Sequence, residues 1–474
     1  MEVEEGRARV KVEGVFYNPR MRFCRDLDML VFATMDSKEY FDALSASGIR
    51  GIRAALEAGK KAVFNDINPK AVKAIEENLR ENGVGGEVIN GDAAAVMRQR
   101  AFEHIDIDPF GSPAPFIDSA CFSAKRYLSV TATDTAALCG SATNSGLKKY
   151  GAFAVKTDVY HEVGLRMLIG FVVREATKYE KALFPLISWV REHYYRVHFK
   201  IKKSTAMSAR VYEKMGYLAY CSTCLRKKVL GMGEGAERCE CGGKFSLIGP
   251  IWLGELKQRD FTEKVAEKAE GKLRAFLEKI LAEIDAPTAY SLPALAKIHS
   301  LTLPPTDVVV GELKKLGYEA SRTHYCGFCV KTDADRDLLL ALQEVFNPLV
   351  NVVLLDAPLV ELRLGKDGVF RSIGQVSEEP FLLLMLQFTS FGQQQIPELL
   401  PSVAVEENPD GVVHLVLVEG KPAVGIVVKE VVNEEDWVPV PKKILGIVGE
   451  IIVGSPCILK NFYGEHGSGG AVYV

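Results

Sequence analysis

The chain has 474 residues, of which 48% are hydrophobic and 25% charged, proportions typical of a globular protein. At ~100–200 residues per domain, this length predicts two to four domains. No stretch approaches ~18 uninterrupted apolar residues, and the first residues are acidic, so we expect a cytoplasmic protein without a membrane span or signal peptide.

The formal net charge of −3 is unevenly distributed. Residues 346–474 hold 8 Lys and Arg against 16 Asp and Glu, which leaves a net charge of +5 for residues 1–345. A polyanionic partner is conceivable for this longer part, although so small an excess is weak support.

An extended segment that is both basic and aromatic is predicted over residues 15–22 and contains Phe16. Arg25 follows it, at the start of an apolar, helix-like run that continues to Phe32. Arginines this close to an N-terminus usually lie in solvent, so the pattern alone assigns Arg25 no role.

Strands and helices then alternate, with predicted strands at residues 40–44, 62–66, 87–90, 104–108 and 130–134. The first four strands each carry an acid in or just after them, namely Asp42, Asp66, Asp92 and Asp108. This rhythm predicts an α/β fold with a doubly wound parallel sheet that binds a nucleoside. The spacing from Asp42 to Asp66 is close to that at which an acid meets ribose hydroxyls. The loop at residues 45–48 has only one glycine, so it fits the dinucleotide fingerprint poorly.

Asp108 is followed by Pro109, Phe110 and Gly111, which end the fourth strand at a loop. Ligands of open α/β sheets bind at this end of the strands. The loop offers a carboxylate and a backbone carbonyl, which accept hydrogen bonds from an NH₂ group, and an aromatic ring that can stack on a base. These groups suit methyl transfer to an exocyclic amine. The alternative is an ordinary Pro/Gly turn with a solvated acid.

Four cysteines form two close pairs, Cys221 with Cys224 and Cys239 with Cys241. Two turns that each present two thiolates predict a structural zinc site, with four ligands and no open position for catalysis. The second pair is closer in sequence than the usual Cys-x-x-Cys, and reduced thiols without a metal remain the alternative.

The predicted elements change again after residue 257. Residues 258–283 read as charged helix, and residues 290–345 as short helices and a basic hairpin, a pattern that resembles a winged helix. Such a unit docks on nucleic acid or packs against a neighbouring domain. Cys326 and Cys329 lie at the hairpin tip, where reduced thiols are favoured over a metal or redox site. Strands are predicted at residues 350–355, 412–417 and 423–428, in an acidic segment without an assigned role.

Several motifs in this order resemble the tRNA (guanine-26-N2) dimethyltransferase family. The resemblance covers about residues 6–345, and its motifs lie at residues 16–19, 25–26, 42–53, 64–67, 108–113, 130–134, 139–140, 161–164, 249–254 and 321–324.

The resemblance implies a class I, Rossmann-like methyltransferase sheet that uses S-adenosylmethionine, with a zinc-site insertion, a winged-helix-like α+β second domain that helps hold tRNA and an extra β-rich C-terminal segment. The corresponding boundaries are residues 1–257, 258–345 and 346–474. Residues carried over as cofactor contacts are Arg25, Arg50, Asp66, Asp92 and Ala93.

The activity implied is N2 methylation of guanosine 26 in tRNA, carried out twice. Asp108 is then the expected base, the Pro109 carbonyl orients the amine, and Phe110 with Phe16 stacks on the guanine. Two alternatives stay open, a tRNA-binding protein without catalytic activity and a methyltransferase for another amine such as adenine N6.

Overall fold

The computed structural model describes residues 1–301 and 303–345, and beyond them strands at residues 353–364, 370–386, 405–408, 412–415 and 424–428. Two compact units are present, residues 1–295 with 319–336 and residues 296–318 with 337–474. The first unit therefore extends past the expected boundary at residue 257 and takes in the predicted hairpin. The boundaries at residues 257 and 345 stay predictions.

Strands and helices alternate over most of the first 150 residues, as predicted from the acids that recur at the strand ends. A short 3₁₀ turn, Pro19–Met21, precedes the first α-helix. The elements in order are β1 (Glu2–Glu5), β2 (Ala8–Lys11), α1 (Arg22–Thr34), β3 (Glu39–Asp42), α2 (Ile49–Ala58), β4 (Lys61–Asp66), α3 (Pro69–Glu81), β5 (Glu87–Asn90), α4 (Ala93–Gln99), β6 (His104–Ile107), α5 (Ala114–Ser123), β7 (Tyr127–Ala132), α6 (Thr135–Leu138) and α7 (Thr143–Tyr150).

The rest of the first unit continues with a long buried helix and an antiparallel strand pair. Its elements are α8 (Tyr160–Thr177), β8 (Lys181–Arg191), β9 (Tyr194–Lys203), α9 (Thr205–Tyr212), β10 (Met215–Cys221), β11 (Lys227–Gly231), β12 (Phe245–Trp252), α10 (Arg259–Glu267), α11 (Gly271–Ala282) and β13 (Tyr290–Ser291). The predicted helical run over residues 258–283 is thus two helices.

Seven strands form the main sheet, in the order β5-β4-β3-β6-β7-β9-β8. The pairs among the first five strands are parallel, and β9 is antiparallel to both of its neighbours. Strands β6 and β7 are buried along their whole length, as expected for central parallel strands covered on two faces. The parallel strands all end at one edge, which gathers the loops that carry Asp66, Asp92 and Asp108.

Strand β9 lies inside the sheet and is more buried than its charged sequence suggests. Residues 194–199 are buried, and only its last residues include exposed lysines. Because β9 pairs with β7, Arg196 lies opposite Thr131, beneath the edge where the acids gather. The aromatic and basic run at residues 193–203 predicts a partly exposed strand, whereas the structure places this strand between two others.

The hairpin of β14 (Ala320–Arg322) and β15 (Cys329–Thr332), reached after α12 (Leu292–His299) and α13 (Thr306–Lys315), forms a three-stranded sheet with β13. Its Lys331 ammonium is buried between Glu162 of α8, at 2.9 Å, and Glu283, at 2.6 Å. The hydroxyl of Tyr325 donates to Glu162 at 2.8 Å. This hairpin therefore packs against α8 within the first unit, through a buried ionic cluster.

Beyond α14 (Arg336–Val345) the described strands are β16 (Val353–Leu364), β17 (Phe370–Leu386), β18 (Val405–Asn408), β19 (Val412–Leu415) and β20 (Val424–Val428). They pair as β16-β17-β20 and β18-β19, in agreement with a β-rich segment. The rest of the predicted acidic segment lies outside the described residues. Within the part of the chain that the structure describes, no helix has the length and apolar character to cross a membrane.

Candidate active site and zinc site

The loop after β6 places Asp108 and Phe110 at the carboxyl edge of the sheet. The Asp108 side chain is 24% exposed, whereas Pro109 is buried beneath it. Gly111 has φ +97°, a conformation that residues with a side chain rarely adopt. The Gly111 N–H donates to Thr133 Oγ1 at 2.9 Å, and the Thr133 N–H donates back to the Gly111 carbonyl at 2.9 Å. The loop is thereby fixed to the end of β7.

Two exposed aromatic rings meet beside this loop. Phe16 is 56% exposed and Phe110 is 87% exposed, and their ring centroids lie 5.6 Å apart in an edge-to-face arrangement. Exposed apolar side chains that lie in contact with one another can mark a binding site, whereas single ones are common on protein surfaces. The structure thus brings together the two side chains predicted to stack on the substrate base.

Arg50, at the start of α2, holds Asp108 from below. One terminal nitrogen of its buried guanidinium contacts Asp108, the other contacts Asp28, and its Nε lies 3.8 Å from Asp106. Asp28 was not singled out by the sequence analysis, since it lies in the middle of α1 with no motif around it.

Arg196 of β9 is the second cation of this buried cluster. Its guanidinium pairs with both oxygens of Asp106, at 2.6 and 3.0 Å, and its Nε lies 3.0 Å from Asp28. Burial alone would raise the pKa of Asp106, but Arg196 and Arg50 together lower it. Burial, followed by the nearby Asp106, raises the pKa of Asp42 well above the ordinary value.

Arg25 is engaged elsewhere in the structure. Its guanidinium forms a two-point pair with Glu5, with both distances 2.6 Å, and Glu5 also accepts from Arg53 at 2.7 Å. Burial would raise the pKa of Glu5, but the two guanidiniums outweigh burial and lower the pKa to about 2. The Tyr17 ring lies against Arg25, 5.1 Å from the guanidinium carbon. The structure therefore places Arg25 in a different ion cluster from Arg50.

Of the predicted cofactor acids, Asp66 is the last residue of β4 and Asp92 lies in the loop after β5. The Asp66 carboxylate accepts hydrogen bonds from the backbone N–H groups of Ala46 and Asn68, both at 2.9 Å. These bonds connect the loop after β3 to the loop after β4. Asp92 accepts from the Ala95 N–H at 2.9 Å and caps the N-terminus of α4, whereas Ala93 is buried.

Two further residues at this edge belong to the motif at residues 64–67 but had no role predicted from the sequence. The Asn65 amide donates to the carbonyls of Ala43, at 3.0 Å, and Gly91, at 3.1 Å, and so joins the loops that follow three strands. Ile67 is 66% exposed directly after Asp66. An apolar side chain next to an acid at a strand end is a signal that could have been read from the sequence as a site for an adenine ring.

The four cysteines of the predicted zinc site converge at the end of β10 and the start of β12. Their sulfur atoms all lie within 4.8 Å of one another, with Cys221 3.5 Å from Cys241 and Cys224 3.5 Å from Cys239. A tetrahedral zinc ion with Zn–S bonds of about 2.3 Å requires sulfurs at similar separations. The donor set therefore fits a structural zinc ion, despite the short Cys-x-Cys spacing.

The expectation of reduced thiols at the hairpin tip was wrong, since the structure joins Cys326 and Cys329 as a disulfide with a Cα–Cα distance of 5.3 Å. The turn between β14 and β15 brings the two cysteines close enough to pair, which their spacing alone did not decide.

The strand order, with five parallel strands and β9 inserted antiparallel between β7 and β8, defines a class I methyltransferase fold. The acids at its carboxyl edge and the loop of Asp108 and Phe110 agree with that class. Comparison with known families is more specific: residues 1–344 match the family described as N2,N2-dimethylguanosine tRNA methyltransferase. The chain belongs to this family.

Similar proteins agree with that assignment. A tRNA (guanine(26)-N(2))-dimethyltransferase of Archaeoglobus fulgidus is 96% identical over 342 residues, which cover 72% of this chain and 98% of that protein. The enzyme of the same description from Methanosphaerula palustris is 38% identical over 69% of this chain and 91% of its own length. Among solved structures, Trm1 from Pyrococcus horikoshii in complex with S-adenosyl-L-methionine is similar with a TM-score of 0.68, 32% identity, and coverage of 72% of this chain and 99% of that one.

Proposed function

We propose that this protein transfers methyl groups from S-adenosylmethionine to the exocyclic N2 of guanosine 26 in tRNA, twice, to give N2,N2-dimethylguanosine. One structural observation carries the proposal: the Asp108 carboxylate lies at the carboxyl edge of a class I sheet, beside the exposed ring pair of Phe16 and Phe110. Family membership of residues 1–344 gives the target nucleoside and the type of product. Because its substrate is tRNA, we place its action in the cytoplasm.

The cofactor site proposed from these residues is the group of loops after β3, β4 and β5. S-adenosylmethionine supplies the methyl group that is transferred. Asp66 would accept hydrogen bonds from the ribose, and Ile67 with Asp92 and the Ala93 backbone would lie along the adenine. Arg50 contacts Asp108 and would meet the methionyl end, whereas Arg25 lies in the ion cluster of Glu5 and stays a predicted cofactor contact.

The chemical problem is that the lone pair of guanine N2 is delocalised into the ring and is a poor nucleophile. A hydrogen-bond acceptor on the N2–H strengthens the nucleophile as the new N–C bond forms, and it takes the proton that must leave. Asp108 is the carboxylate placed for this task, and the Pro109 carbonyl can accept from the second N–H of the unmethylated amine.

The target base has to leave its stack to reach Asp108, because the sheet edge cannot enter a tRNA stem. The exposed edge-to-face rings of Phe16 and Phe110 present apolar surface to a flipped guanine. Stacking of the base against these rings would offset part of the cost of unstacking it.

Transfer of labelled methyl to two tRNA transcripts, one with guanosine and one with adenosine at position 26, tests this function. We expect label only with guanosine, recovered as N2-methylated and N2,N2-dimethylated guanosine. Equal labelling of both transcripts would move the target to another amine, and tRNA binding without labelling would indicate a binding protein.

The role of Asp108 is tested with Asp108→Asn, which keeps the shape of the side chain but not its charge. The rate of methyl transfer should fall ~10²–10⁴-fold, while tRNA binding changes little. Asp118→Asn is a matched control, because Asp118 is a surface acid that pairs with Arg98 away from the loop. An unchanged rate in Asp108→Asn would remove Asp108 from the mechanism.

A further inference from the structure

Asp28 is buried within α1, with no exposed side-chain surface, and does not reach the sheet edge. Three cationic or titratable side chains nevertheless converge on it. Arg50 contacts its Oδ2, Arg196 lies 3.0 Å from its Oδ1, and His198 Nε2 lies 3.1 Å from the same oxygen. Burial of a carboxylate is costly, and the two guanidiniums offset that cost while they fix the position of Asp28.

The contacts of Asp28 lead directly to Asp108. Arg50 is one rigid, planar group whose two terminal nitrogens contact Asp28 and Asp108, so fixing one end of the guanidinium orients the other. Arg196 in turn holds Asp28 and Asp106 together from β9. Asp108 is one quarter exposed, and within this cluster its side-chain cation contact is Arg50.

The charge balance of the cluster supports the same reading. Asp28, Asp106 and Asp108 face two guanidiniums, Arg50 and Arg196. Arg50 is therefore shared among carboxylates and does not neutralise Asp108 alone. Without the Asp28 carboxylate, Arg50 would be free to turn fully toward Asp108, which would withdraw electron density from the acceptor and shift it from its place.

We infer that Asp28 is a positioning residue for methyl transfer, which acts through Arg50 to hold the Asp108 carboxylate in place for the guanine amine. This inference rests on the proposed function, because it assumes that Asp108 is the acceptor. It assigns to the buried arginine–aspartate cluster a role in the reaction that neither the loop motif nor the sheet edge reveals.

A double-mutant cycle with Asp28→Asn and Asp108→Asn tests it in the full-length protein. At saturating cofactor and tRNA, Asp28→Asn should lower the single-turnover rate ~10–100-fold, the scale expected for a displaced reacting group. In the Asp108→Asn background the same change should lower the rate less than about twofold, because its effect passes through Asp108. If Asp28→Asn lowers the rate by the same factor with and without Asp108→Asn, the inference is overturned. A general structural defect would lower the rate in this way in either background.

Controls separate this effect from instability. Asp26→Asn removes a carboxylate from the same helix, one that pairs with Arg53 at 2.7 Å, and it should leave the single-turnover rate within about twofold of the unmodified protein. If Asp28→Asn does not fold, Arg196→Lys replaces it in the test. The lysine keeps a cation beside Asp28 but cannot contact Asp28 and Asp106 together. Its loss of rate should likewise vanish in the Asp108→Asn background.

The outcomes for the two proposals are distinct. If Asp108→Asn leaves the rate unchanged, the assignment of Asp108 in the proposed function fails. If Asp108→Asn abolishes transfer while Asp28→Asn and Arg196→Lys have no effect, only the role of Asp28 fails.

Discussion

At the scale of single residues, the active-site edge combines a restrained acid with unrestrained aromatic rings. Asp108 is held by a buried arginine, whereas Phe16 and Phe110 are held mainly by each other. A proton acceptor loses much of its effect when it is misplaced by about 1 Å, but a stacking surface tolerates a range of base positions. The difference in restraint therefore matches the difference in the tasks proposed for these residues.

The exposed rings predict an effect on tRNA binding, and a melting measurement can distinguish this effect from a loss of stability. Phe110→Ala should weaken productive tRNA binding by about 1–3 kcal/mol, the scale of stacking on one base, at a fixed salt concentration. The melting temperature should stay nearly constant, because the ring is 87% exposed. Phe122→Ala is the matched control, since the Phe122 ring is also exposed, at 45%, but packs against Tyr179 away from the Asp108 loop. Equal tRNA affinity for both variants would contradict the stacking role of Phe110.

The sequence predicts roles for Asp108, Phe110 and Phe16 because each lies in a recognisable local pattern, and the structure brings the two rings together. The sequence offers no such pattern for Asp28 and Arg196, which meet only in the folded protein. They are 168 residues apart, and their contact depends on β9 pairing with β7. Arg25 shows the opposite case, because its motif was evident while its pairing with Glu5 of β1 was not.

At the scale of secondary structure, the parallel strands were predictable because strong apolar runs end in acids at regular intervals. The observed strand ends differ from the predicted ones by at most three residues. The largest difference is in the fifth strand, predicted at residues 130–134 and observed at Tyr127–Ala132. The hairpin was predicted as well, but its surroundings were left open. Whether it faced nucleic acid or a neighbouring domain depended on Glu162 and Glu283, which lie far from it in the sequence.

The cysteine cluster gives a prediction about the segment between β10 and β12. The purified protein should hold about one zinc ion per chain, and Cys224→Ser should lose most of it and unfold at a lower temperature, because a structural zinc ion contributes its binding energy to folding. Metal analysis and thermal melting measure both effects. Cys139→Ser, which changes a buried cysteine outside the cluster, should keep its zinc. Full zinc content in Cys224→Ser would contradict the four-thiolate site.

At the scale of the whole molecule, two buried neutral histidines make the first unit sensitive to acid. His104 and His198 are fully buried on β6 and β9, and the Ser129 hydroxyl lies between them, 2.8 Å from one ring and 2.7 Å from the other. Burial, the largest cause, lowers the pKa of His104 to about 3 and that of His198 well below its ordinary value. Arg196 adds to the effect at His198, since a nearby guanidinium disfavours a second positive charge.

The sign of the resulting pH dependence follows from these lowered pKa values. In the unfolded chain both histidines bind a proton near pH 6.5, whereas in the folded protein they stay neutral, so acid favours unfolding. The stability that the neutral histidines contribute to the folded protein is fully present above about pH 6.5. It is lost progressively as the pH falls toward about 3, because only the unfolded chain binds protons in this range. Between pH 7 and pH 5.5 the free energy of unfolding should fall by about 1 kcal/mol for each histidine.

Thermal melting of His104→Gln at several pH values between 7 and 5.5 tests this account. The variant should be less stable than the unmodified protein at pH 7, because it disturbs a packed site, yet its melting temperature should fall less steeply with acid. The comparison of slopes matters because protonation of zinc-bound thiolates also destabilises the protein in acid, and this effect is common to both proteins. His193→Gln, at a partly exposed position in the turn before β9, should keep the original slope. If His104→Gln kept that slope as well, the acid sensitivity would belong to other groups, and the buried histidine pair would not set the lower pH limit of this fold.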